Sequence, residues 1–230
     1  MPRSDTIESK LHSVLSRIQA SALSHGRQAS DIELLAVSKT QPADNLRKAY
    51  SAGQRHFGEN YLQEAIEKKD VLADCQIIWH FIGAIQSNKT RVIAEHFSWV
   101  HSVDRLKIAQ RLSEARTSEQ TPLNICLQIN ISNEPTKAGL SLAELPEIAK
   151  QIQLLPNIKL RGLMALPAPN LDYDKQRNSF AKVKHAFNSL NQQGLALDTL
   201  SMGMSNDIEA AIAEGSTIVR IGSAIFGARK

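Results

Sequence analysis

Lys39 is the residue of this sequence with the clearest capacity for covalent chemistry. It ends the apolar stretch IELLAVSK, and Pro42, three residues later, marks the start of a helix. Partial desolvation at the end of a buried strand favours the neutral, nucleophilic form of a lysine amine. Such an amine forms a Schiff base with an aldehyde. The alternative is an ordinary solvated lysine at a strand end.

A second group of candidates lies in the apolar run TIVRIGSAIF near the end of the sequence. Arg220 lies inside this run, and a buried arginine needs a carboxylate, carbonyl groups or an anionic ligand because it keeps its charge. An internal salt bridge with Glu59 or Asp198 is one way to satisfy it. Gly222 and Ser223 follow, and a glycine and a small hydroxyl residue after a strand offer N–H and O–H donors to a phosphate.

The loop SMGMSND, residues 201–207, offers further donors through Ser201 and Ser205. These residues suit either an anion or the N-terminal turn of a helix predicted over Asp207–Glu214. Asn60 follows the stretch HFGE, where it either caps the next helix or hydrogen-bonds a ligand. Both segments therefore contain binding candidates that also have a structural explanation.

The remaining polar residues of the strands are expected to be structural. His80, within IIWHFIG, is interpreted as a satisfied core histidine, with a ligand role as the alternative. Arg161 is expected to form an internal pair. His56, His96 and His101 show no metal-ligand spacing, so no metal site is predicted.

These residues have to be positioned by an alternation of short β-branched stretches and helical patterns. An amphipathic helix is predicted over 5–24, with Ile7, Leu11, Val14, Leu15, Ile18 and Ala22 as its apolar stripe. Strands are predicted over 32–38, 55–58, 77–83, 98–102, 123–130, 158–166, 199–202 and 217–221. Helices are predicted over 42–52, 61–71, 89–96, 105–119, 142–154, 175–193 and 207–214. Gly53, Gly194 and Gly215 follow three of them, where a left-handed cap is favoured.

Eight strands separated by helices predict a parallel sheet, and their number fits a single (β/α)8 TIM barrel with an extra N-terminal helix. We expect one domain over residues 1–230. A doubly wound open sheet is the alternative, but SKTQPAD follows the first strand where a glycine-rich fingerprint would be expected. In a barrel, Lys39 and the donors after strands seven and eight share the carboxyl-end mouth. This placement suits a cofactor with an aldehyde and a phosphate, which describes pyridoxal 5′-phosphate.

The composition excludes several other classes of protein. There are 27 Lys and Arg against 23 Asp and Glu, a net charge of +4, and the basic residues are interleaved with acids. With no nucleic-acid-binding signature, we expect no nucleic-acid partner. No apolar run reaches about 18 residues, so no membrane association is expected. The first ten residues are unlike a secretory signal, which predicts a cytoplasmic protein with Cys75 and Cys126 as reduced thiols.

Six sequence blocks resemble the YggS/PROSC family of pyridoxal phosphate homeostasis proteins. They are LLAVSKT, HFGENYLQE, WHFIGAIQSNK, LQINISNEPTKAGL, LRGLMALP and SMGMSNDIEAAIAEGSTIVRIGSAIFGAR, and they extend from about Leu34 to Arg229. The family is similar to the barrel domain of bacterial alanine racemase. Asn206 and Ala84 depart from its pattern, where an acid and a proline would be expected, but neither touches the lysine or the phosphate loop.

The resemblance implies a role for each candidate. Lys39 would be the Schiff-base lysine, and Arg220 would face the pyridine nitrogen. Three residues, Ser205, Gly222 and Ser223, match phosphate-binding positions. Ser201 and Asn60 would be further ligand contacts. The family is understood to buffer free pyridoxal phosphate and to keep the vitamin B6 pool in balance. Transient delivery to apo-enzymes, by exchange of an imine at Lys39, is our hypothesis.

Catalysis is not expected of this chain. An arginine at the pyridine nitrogen disfavours its protonation and weakens the ring as an electron sink. Racemisation also needs a second acid or base, which in alanine racemase is a tyrosine of a β domain. Tyr50, Tyr61 and Tyr173 do not lie in a comparable segment, and the sequence ends after the predicted barrel. The same reasoning favours a monomer. The alternative is a racemase-like enzyme that works without the β domain.

Overall fold

A closed barrel of eight parallel strands forms the centre of the protein. The computed structural model describes residues 6–132 and 138–227, and every structural statement below concerns these residues. The strands pair in chain order, and β1 pairs with β8 to close the barrel. Their bounds are β1 Glu33–Val37, β2 His56–Glu59, β3 Ile78–Phe81, β4 Trp99–Val103, β5 Leu123–Ile129, β6 Ile158–Ala165, β7 Thr199–Ser201 and β8 Ile218–Ile221.

Helices surround the barrel and cover its outer face. Their bounds are α1 Ile7–Ser24, α2 Ala43–Ser51, α3 Leu62–Val71, α4 Thr90–His96, α5 Leu106–Ala115, α6 Leu145–Gln153, α7 Tyr173–Gln192, α8 Ile208–Ala213 and α9 Ser223–Phe226. Helix α1 contacts α2 and α8, and also the short α9. It therefore occupies the place in the outer ring that the helix after the eighth strand fills in a standard barrel.

The main apolar core lies between the strands and the helices. Strand residues such as Phe57 and Val100 are fully buried there, together with helix residues such as Leu46 and Leu112. Helix α1 contributes the predicted stripe through Leu11, Val14, Ile18 and Ala22, all of which are buried. Leu15, which was assigned to the same stripe, is 41% exposed and lies outside the contact.

The predicted architecture is confirmed, with differences at the ends of elements. The predicted helix over 105–119 ends at Ala115, because the buried side chain of Arg116 turns to donate hydrogen bonds to the carbonyls of Ala94, Phe97 and Thr121. Helix α6 begins at Leu145 rather than Leu142, with Pro146 in its first turn, a position that proline tolerates well. The four-residue α9 was missed, since it is shorter than two turns.

Other sequence predictions on the fold also agree with the structure. Gly53, Gly194 and Gly215 all have a positive φ, of 102°, 95° and 90°, directly after their helices. Both cysteines are free thiols, Cys126 buried and Cys75 partly buried. Among the described residues, no helix is both long enough and apolar enough to cross a membrane.

Candidate functional site

A cavity of about 450 Å³ opens at the carboxyl-end mouth of the barrel. Six of the seven predicted site residues line it: Lys39, Asn60, Ser205, Arg220, Gly222 and Ser223. They come from the ends of β1, β2 and β8 and from the loop after β7, as expected for the functional face of a parallel barrel. The volume lies within the range of small-molecule sites.

The turn that carries Lys39 is fixed by hydrogen bonds from the neighbouring helix α3. Thr40, the next residue, has a φ of 63°, in the left-handed region that β-branched residues rarely adopt. Its backbone N–H donates to Glu64 Oε1 at 2.6 Å. On the other side of Lys39, the carbonyl of Ser38 accepts a hydrogen bond from Lys68 Nζ at 2.7 Å. The backbone on both sides of Lys39 is thus tied to α3.

A buried ion pair lies below this turn. Glu59 is fully buried, and its Oε1 accepts hydrogen bonds from Lys68 Nζ at 2.7 Å and from Ser38 Oγ at 2.6 Å. Burial raises the pKa of Glu59, and the charge of Lys68 opposes that rise. Glu59 Oε2 is buried without a hydrogen-bond partner in the described chain. Glu59 is therefore committed to Lys68, and the predicted alternative of a Glu59–Arg220 salt bridge is wrong.

Arg220 lies on β8 and is held by oxygen atoms that carry no charge. Its Nη1 donates to the carbonyl and to the hydroxyl of Ser201, the latter at 2.7 Å, and its Nη2 donates to the carbonyl of Ala165 at 2.9 Å. Burial lowers the pKa of Arg220 to about 10, which Asp207 opposes. Asp198, the other predicted salt-bridge partner, pairs instead with Arg161 at 2.8 Å. This confirms the prediction that Arg161 forms a structural pair.

Ser201 is the one predicted site residue that does not line the cavity. It is fully buried behind Arg220, and its hydroxyl oxygen accepts a hydrogen bond from Arg220 Nη1. Its hydroxyl also contacts His101 Nδ1 at 2.7 Å. Ser201 can therefore influence a ligand only through Arg220, because its own hydroxyl has no access to the cavity.

Ser205, Gly222 and Ser223 form a corner of the cavity that is rich in donors. Helix α9 is a single turn that begins at Ser223, and the N–H groups of Ile225 and Phe226 in this turn donate to the carbonyl of Gly222. A Cβ at Gly222 would lie 3.1 Å from the carbonyl oxygen of Val37, tighter than ordinary van der Waals contact. The loop of Ser205 is anchored from α1, since Arg17 donates to the Ser205 carbonyl at 2.7 Å.

Asn60 does not have the capping role that was one of its two predicted functions. The N-cap of α3 is Tyr61, and no side chain caps that helix. Asn60 Oδ1 is buried at the cavity and has no hydrogen-bond partner in the described chain. A buried polar atom without a partner is costly, and a ligand would relieve that cost.

The candidate site residues did not include the apolar part of the cavity wall. Met164, Leu166, Leu171 and Met204 line it, and they come from the end of β6 and from two loops. The Pro-bearing stretch 165–172 has the position of an active-face loop after a strand, but nothing in the sequence shows which of its apolar side chains face the cavity. Asp207 also lines the cavity. Burial raises its pKa, and its Oδ1 accepts the N–H of Met204.

The interior of the barrel contains three histidines in a row. His80 is fully buried and contacts His56 at 2.9 Å and His101 at 2.8 Å, so its interpretation as a core histidine is confirmed. No group of three metal-ligating side chains occurs in residues 6–132 and 138–227.

Comparison with known proteins places this chain in a family. The family described as "Alanine racemase, N-terminal domain" matches residues 15–230. A pyridoxal phosphate homeostasis protein of Pseudomonas aeruginosa is 56% identical over 224 residues, which cover 97% of this chain and 96% of that protein. The chain belongs to this family of pyridoxal phosphate homeostasis proteins.

Two further relatives match this chain over nearly their whole length, and a more distant protein shares its fold. The homeostasis protein of Escherichia coli K12 is 51% identical over 226 residues, 97% of each chain. The structure of PipY of Synechococcus elongatus with pyridoxal phosphate bound is 39% identical, has a TM-score of 0.86, and covers 96% of this chain and 100% of its own. Alanine racemase of Clostridium difficile shares the fold with a TM-score of 0.76 at 16% identity, over 57% of that enzyme's length.

Proposed function

We propose that this protein binds pyridoxal 5′-phosphate as a Schiff base on Lys39 and acts in intracellular vitamin B6 homeostasis without a dedicated catalytic reaction. One observation carries the proposal: Lys39, Arg220 and the donors of Gly222 and Ser223 line the same cavity of about 450 Å³. The relatives named as homeostasis proteins and the PipY structure with pyridoxal phosphate support the choice of cofactor.

The residues that line the cavity fit this cofactor. The Oδ1 atom of Asn60 is buried and has no hydrogen-bond partner in the described chain, so it could accept a hydrogen bond from a polar group of the cofactor. Gly222 and Ser223 lie on the cavity wall where α9 begins, and a phosphate there would accept hydrogen bonds from the N–H of Ser223 and from the hydroxyls of Ser205 and Ser223. The apolar wall of Met164 and Met204 suits the flat face of a pyridine ring.

Each polar residue then has a defined task. When bound, the cofactor supplies an aldehyde that forms a reversible imine with a primary amine. Lys39 provides that amine from a turn whose backbone is fixed by α3. Arg220 would direct its positive charge and N–H donors toward the pyridine nitrogen, and this charge would disfavour protonation of that nitrogen.

Two features argue for holding the cofactor rather than for transforming a substrate. An unprotonated pyridine nitrogen makes the ring a weak electron sink. The residues that line the cavity in the described chain include no tyrosine or histidine, and the carboxylate of Asp207 is engaged by the N–H of Met204. A two-base reaction needs a second proton carrier at the ring, and no tyrosine or histidine of the described chain lines the cavity to serve as one.

We further propose that the protein works as a cytoplasmic monomer and passes its cofactor to apo-enzymes by exchange. Met204 and Leu171 at the cavity wall are 37% and 99% exposed, so the mouth is open to the solvent. A reversible imine in an open cavity can be released without a large conformational change. The exchange would be measured as the rate at which an apo-enzyme gains activity. A rate no faster than with free cofactor would contradict delivery.

The test of cofactor binding uses absorbance spectra of the purified protein with added pyridoxal phosphate, before and after borohydride. We expect an imine band in the wild type and in Lys107→Ala, whose lysine is exposed on α5, and none in Lys39→Ala. Borohydride should attach the cofactor covalently to the peptide that contains Lys39. A Lys39→Ala protein with the same band and the same adduct would show that another amine holds the cofactor.

The racemase-like alternative makes a different prediction. It requires exchange of the Cα hydrogen for deuterium when an amino acid is added to the loaded protein in heavy water. We expect no exchange above the rate with free cofactor across a broad panel of amino acids, measured by proton NMR. Rapid exchange that is lost in Lys39→Ala would establish an enzyme.

A further inference from the structure

A line of hydrogen bonds runs through the barrel interior from His56 to Arg220, and the carboxylate of Glu33 lies beyond its amino end. His56 Nε2 lies 3.5 Å from Glu33 Oε2, and His56 Nδ1 lies 2.9 Å from His80 Nε2. His80 Nδ1 contacts His101 Nε2 at 2.8 Å, and His101 Nδ1 contacts Ser201 Oγ at 2.7 Å. Ser201 Oγ accepts Arg220 Nη1 at 2.7 Å. We refer to Glu33, His56, His80, His101 and Ser201 as the histidine relay.

The strand register explains how the relay rises toward the mouth. His56 pairs in register with Ile78, and His80 lies two residues further along β3. His80 pairs in turn with Trp99, and His101 lies two residues further along β4. Each step keeps the side chain on the same face of the sheet and moves it toward the carboxyl end. The last step crosses the barrel, because β4 and β7 are not neighbours.

The hydroxyl of Ser201 sets the direction of the hydrogen bonds in the relay. A guanidinium only donates, so Ser201 Oγ accepts from Arg220, and the hydroxyl proton is satisfied when it is donated to His101 Nδ1, the other hydrogen-bond partner of Ser201 Oγ in the described chain. A neutral His101 then carries its proton on Nε2 and donates to His80 Nδ1. The same logic places the proton of His80 on Nε2, and that of His56 on Nε2, facing Glu33. All donors point from Arg220 toward the carboxylate of Glu33.

The burial of the histidines supports neutral rings. His80 and His101 are fully buried, and His56 is partly buried. Burial lowers the pKa of all three, that of His101 to about 3, with the charge of Arg220 as a further cause for His101. A row of neutral rings with one proton each can form these bonds in two opposite orders, and only the order with every proton on Nε2 gives the hydroxyl proton of Ser201 an acceptor at His101 Nδ1.

Arg220 needs such an arrangement because it has no carboxylate in hydrogen-bond contact within the described chain. Its partners are two carbonyls and one hydroxyl, although the side chain is almost completely buried. Aligned hydrogen bonds polarise one another, so a carboxylate at the far end strengthens Ser201 as an acceptor. A carboxylate in direct contact would neutralise the charge of Arg220, whereas the relay leaves a net positive charge facing the cavity.

We propose that the histidine relay is a positioning element that holds Arg220 oriented and charged toward the pyridine ring, and that it transmits the charge of Glu33 through the barrel. This role rests on the proposed function, since the ring is that of pyridoxal phosphate. Its physical basis, the fixed order of protons, concerns this chain alone. The two parts are therefore tested separately.

The proton order is measured in the protein without added cofactor. Nitrogen-15 NMR of the histidine side chains at about pH 8 distinguishes protonated from unprotonated ring nitrogens. We expect His56, His80 and His101 all to carry their proton on Nε2, with Nδ1 in each as an acceptor. A proton on Nδ1 of His101 or His80 would overturn the relay, because Ser201 could then not accept from Arg220 while donating to His101.

Transmission is measured with substitutions at the two ends of the relay. Ser201→Ala removes the hydroxyl that accepts from Arg220 Nη1 and leaves the two carbonyl acceptors in place. Glu33→Gln removes the distant negative charge. Asp31→Asn is the matched control, since it removes an exposed carboxylate two residues from Glu33 that lies outside the relay. The readouts are the absorbance maximum of bound pyridoxal phosphate and its dissociation constant.

We expect Ser201→Ala to shift the absorbance band and to weaken binding about tenfold, the scale of one hydrogen bond to a charged group. Glu33→Gln should shift the band in the same direction and weaken binding about twofold to threefold, whereas Asp31→Asn should match the wild type. Equal spectra and affinities for Glu33→Gln and Asp31→Asn would overturn transmission. A wild type that does not bind pyridoxal phosphate would overturn the proposed function and the role of the relay with it. A wrong proton order in a protein that binds normally would overturn the relay alone.

Discussion

Replacing Lys68 by methionine should destabilise the protein strongly, because it leaves the carboxylate of Glu59 without its counter-charge. Glu59 is fully buried, and the Lys68 side chain is 6% exposed. Breaking a buried ion pair by removing one partner costs about 3–5 kcal/mol, much more than a surface pair. Methionine fills a similar volume, so the loss would come from charge and hydrogen bonding rather than from a cavity. The free energy of unfolding would be measured by urea denaturation, followed by the fluorescence of Trp79 and Trp99.

The pH dependence identifies the cause of this loss. Burial already raises the pKa of Glu59, and without Lys68 that pKa rises further. A carboxyl group with a raised folded pKa binds protons more readily in the folded state, so stability falls as pH rises through that pKa. The deficit of Lys68→Met should therefore be largest at about pH 8 and smaller at about pH 5, because a larger fraction of Glu59 is protonated at the lower pH.

Two further variants make the reasoning refutable. Lys107→Met, at an exposed position of α5, should change the stability by less than about 0.5 kcal/mol. Adding Glu59→Gln to Lys68→Met should recover part of the loss, since the buried charge is then gone. A Lys68→Met protein within about 1 kcal/mol of the wild type at pH 8, or a deficit that does not vary with pH, would refute the assignment of a buried charge pair.

Two other predictions follow from the structure. Gly203→Ala should lower the free energy of unfolding by about 2–3 kcal/mol, because φ is 96° and the new Cβ would lie 2.5 Å from Ala211 Cβ. Gly53→Ala is the control: its φ is 102°, but its Cβ would enter open space, so the loss should be only about 1 kcal/mol. Both losses would be measured by thermal denaturation. Equal losses would show that the contact is relieved. A thiol reagent should modify Cys75 quickly and Cys126 only on unfolding, since burial raises the pKa of the Cys126 thiol to about 12. Two equivalents of rapid reaction in the native protein would contradict this.

The barrel and most of the cavity could be predicted from the sequence, because both depend on local patterns. Most strands are short apolar runs, and the helices between them have ordinary apolar spacing. A strand end in a parallel barrel faces the mouth wherever it lies in the chain, which is why Lys39 and Gly222 could be placed together. Element ends were less predictable, since the end of α5 depends on the hydrogen bonds of Arg116 to distant carbonyls.

The partners of the buried charged groups could not be predicted. Glu59 and Asp198 were equally plausible partners of Arg220 in the sequence, and the structure pairs them with Lys68 and Arg161. The histidine relay was also missed, because its members lie more than twenty residues apart and meet only through the stagger of neighbouring strands. A polar residue on the interior face of three successive strands is the signal that would have revealed it.

The packing of α1 in the outer ring, next to the short helix that follows the eighth strand, has a consequence for how the chain folds during synthesis. The buried face of α1 packs on α8 and α9, and β1 closes the barrel on β8, so elements that are made earlier must wait for partners that are made much later. Contacts between such distant segments slow folding and leave apolar surface exposed meanwhile. Lys39 leaves the ribosome long before Gly222. The nascent protein therefore has no binding cavity until closure, so it cannot take up its ligand as a partial chain.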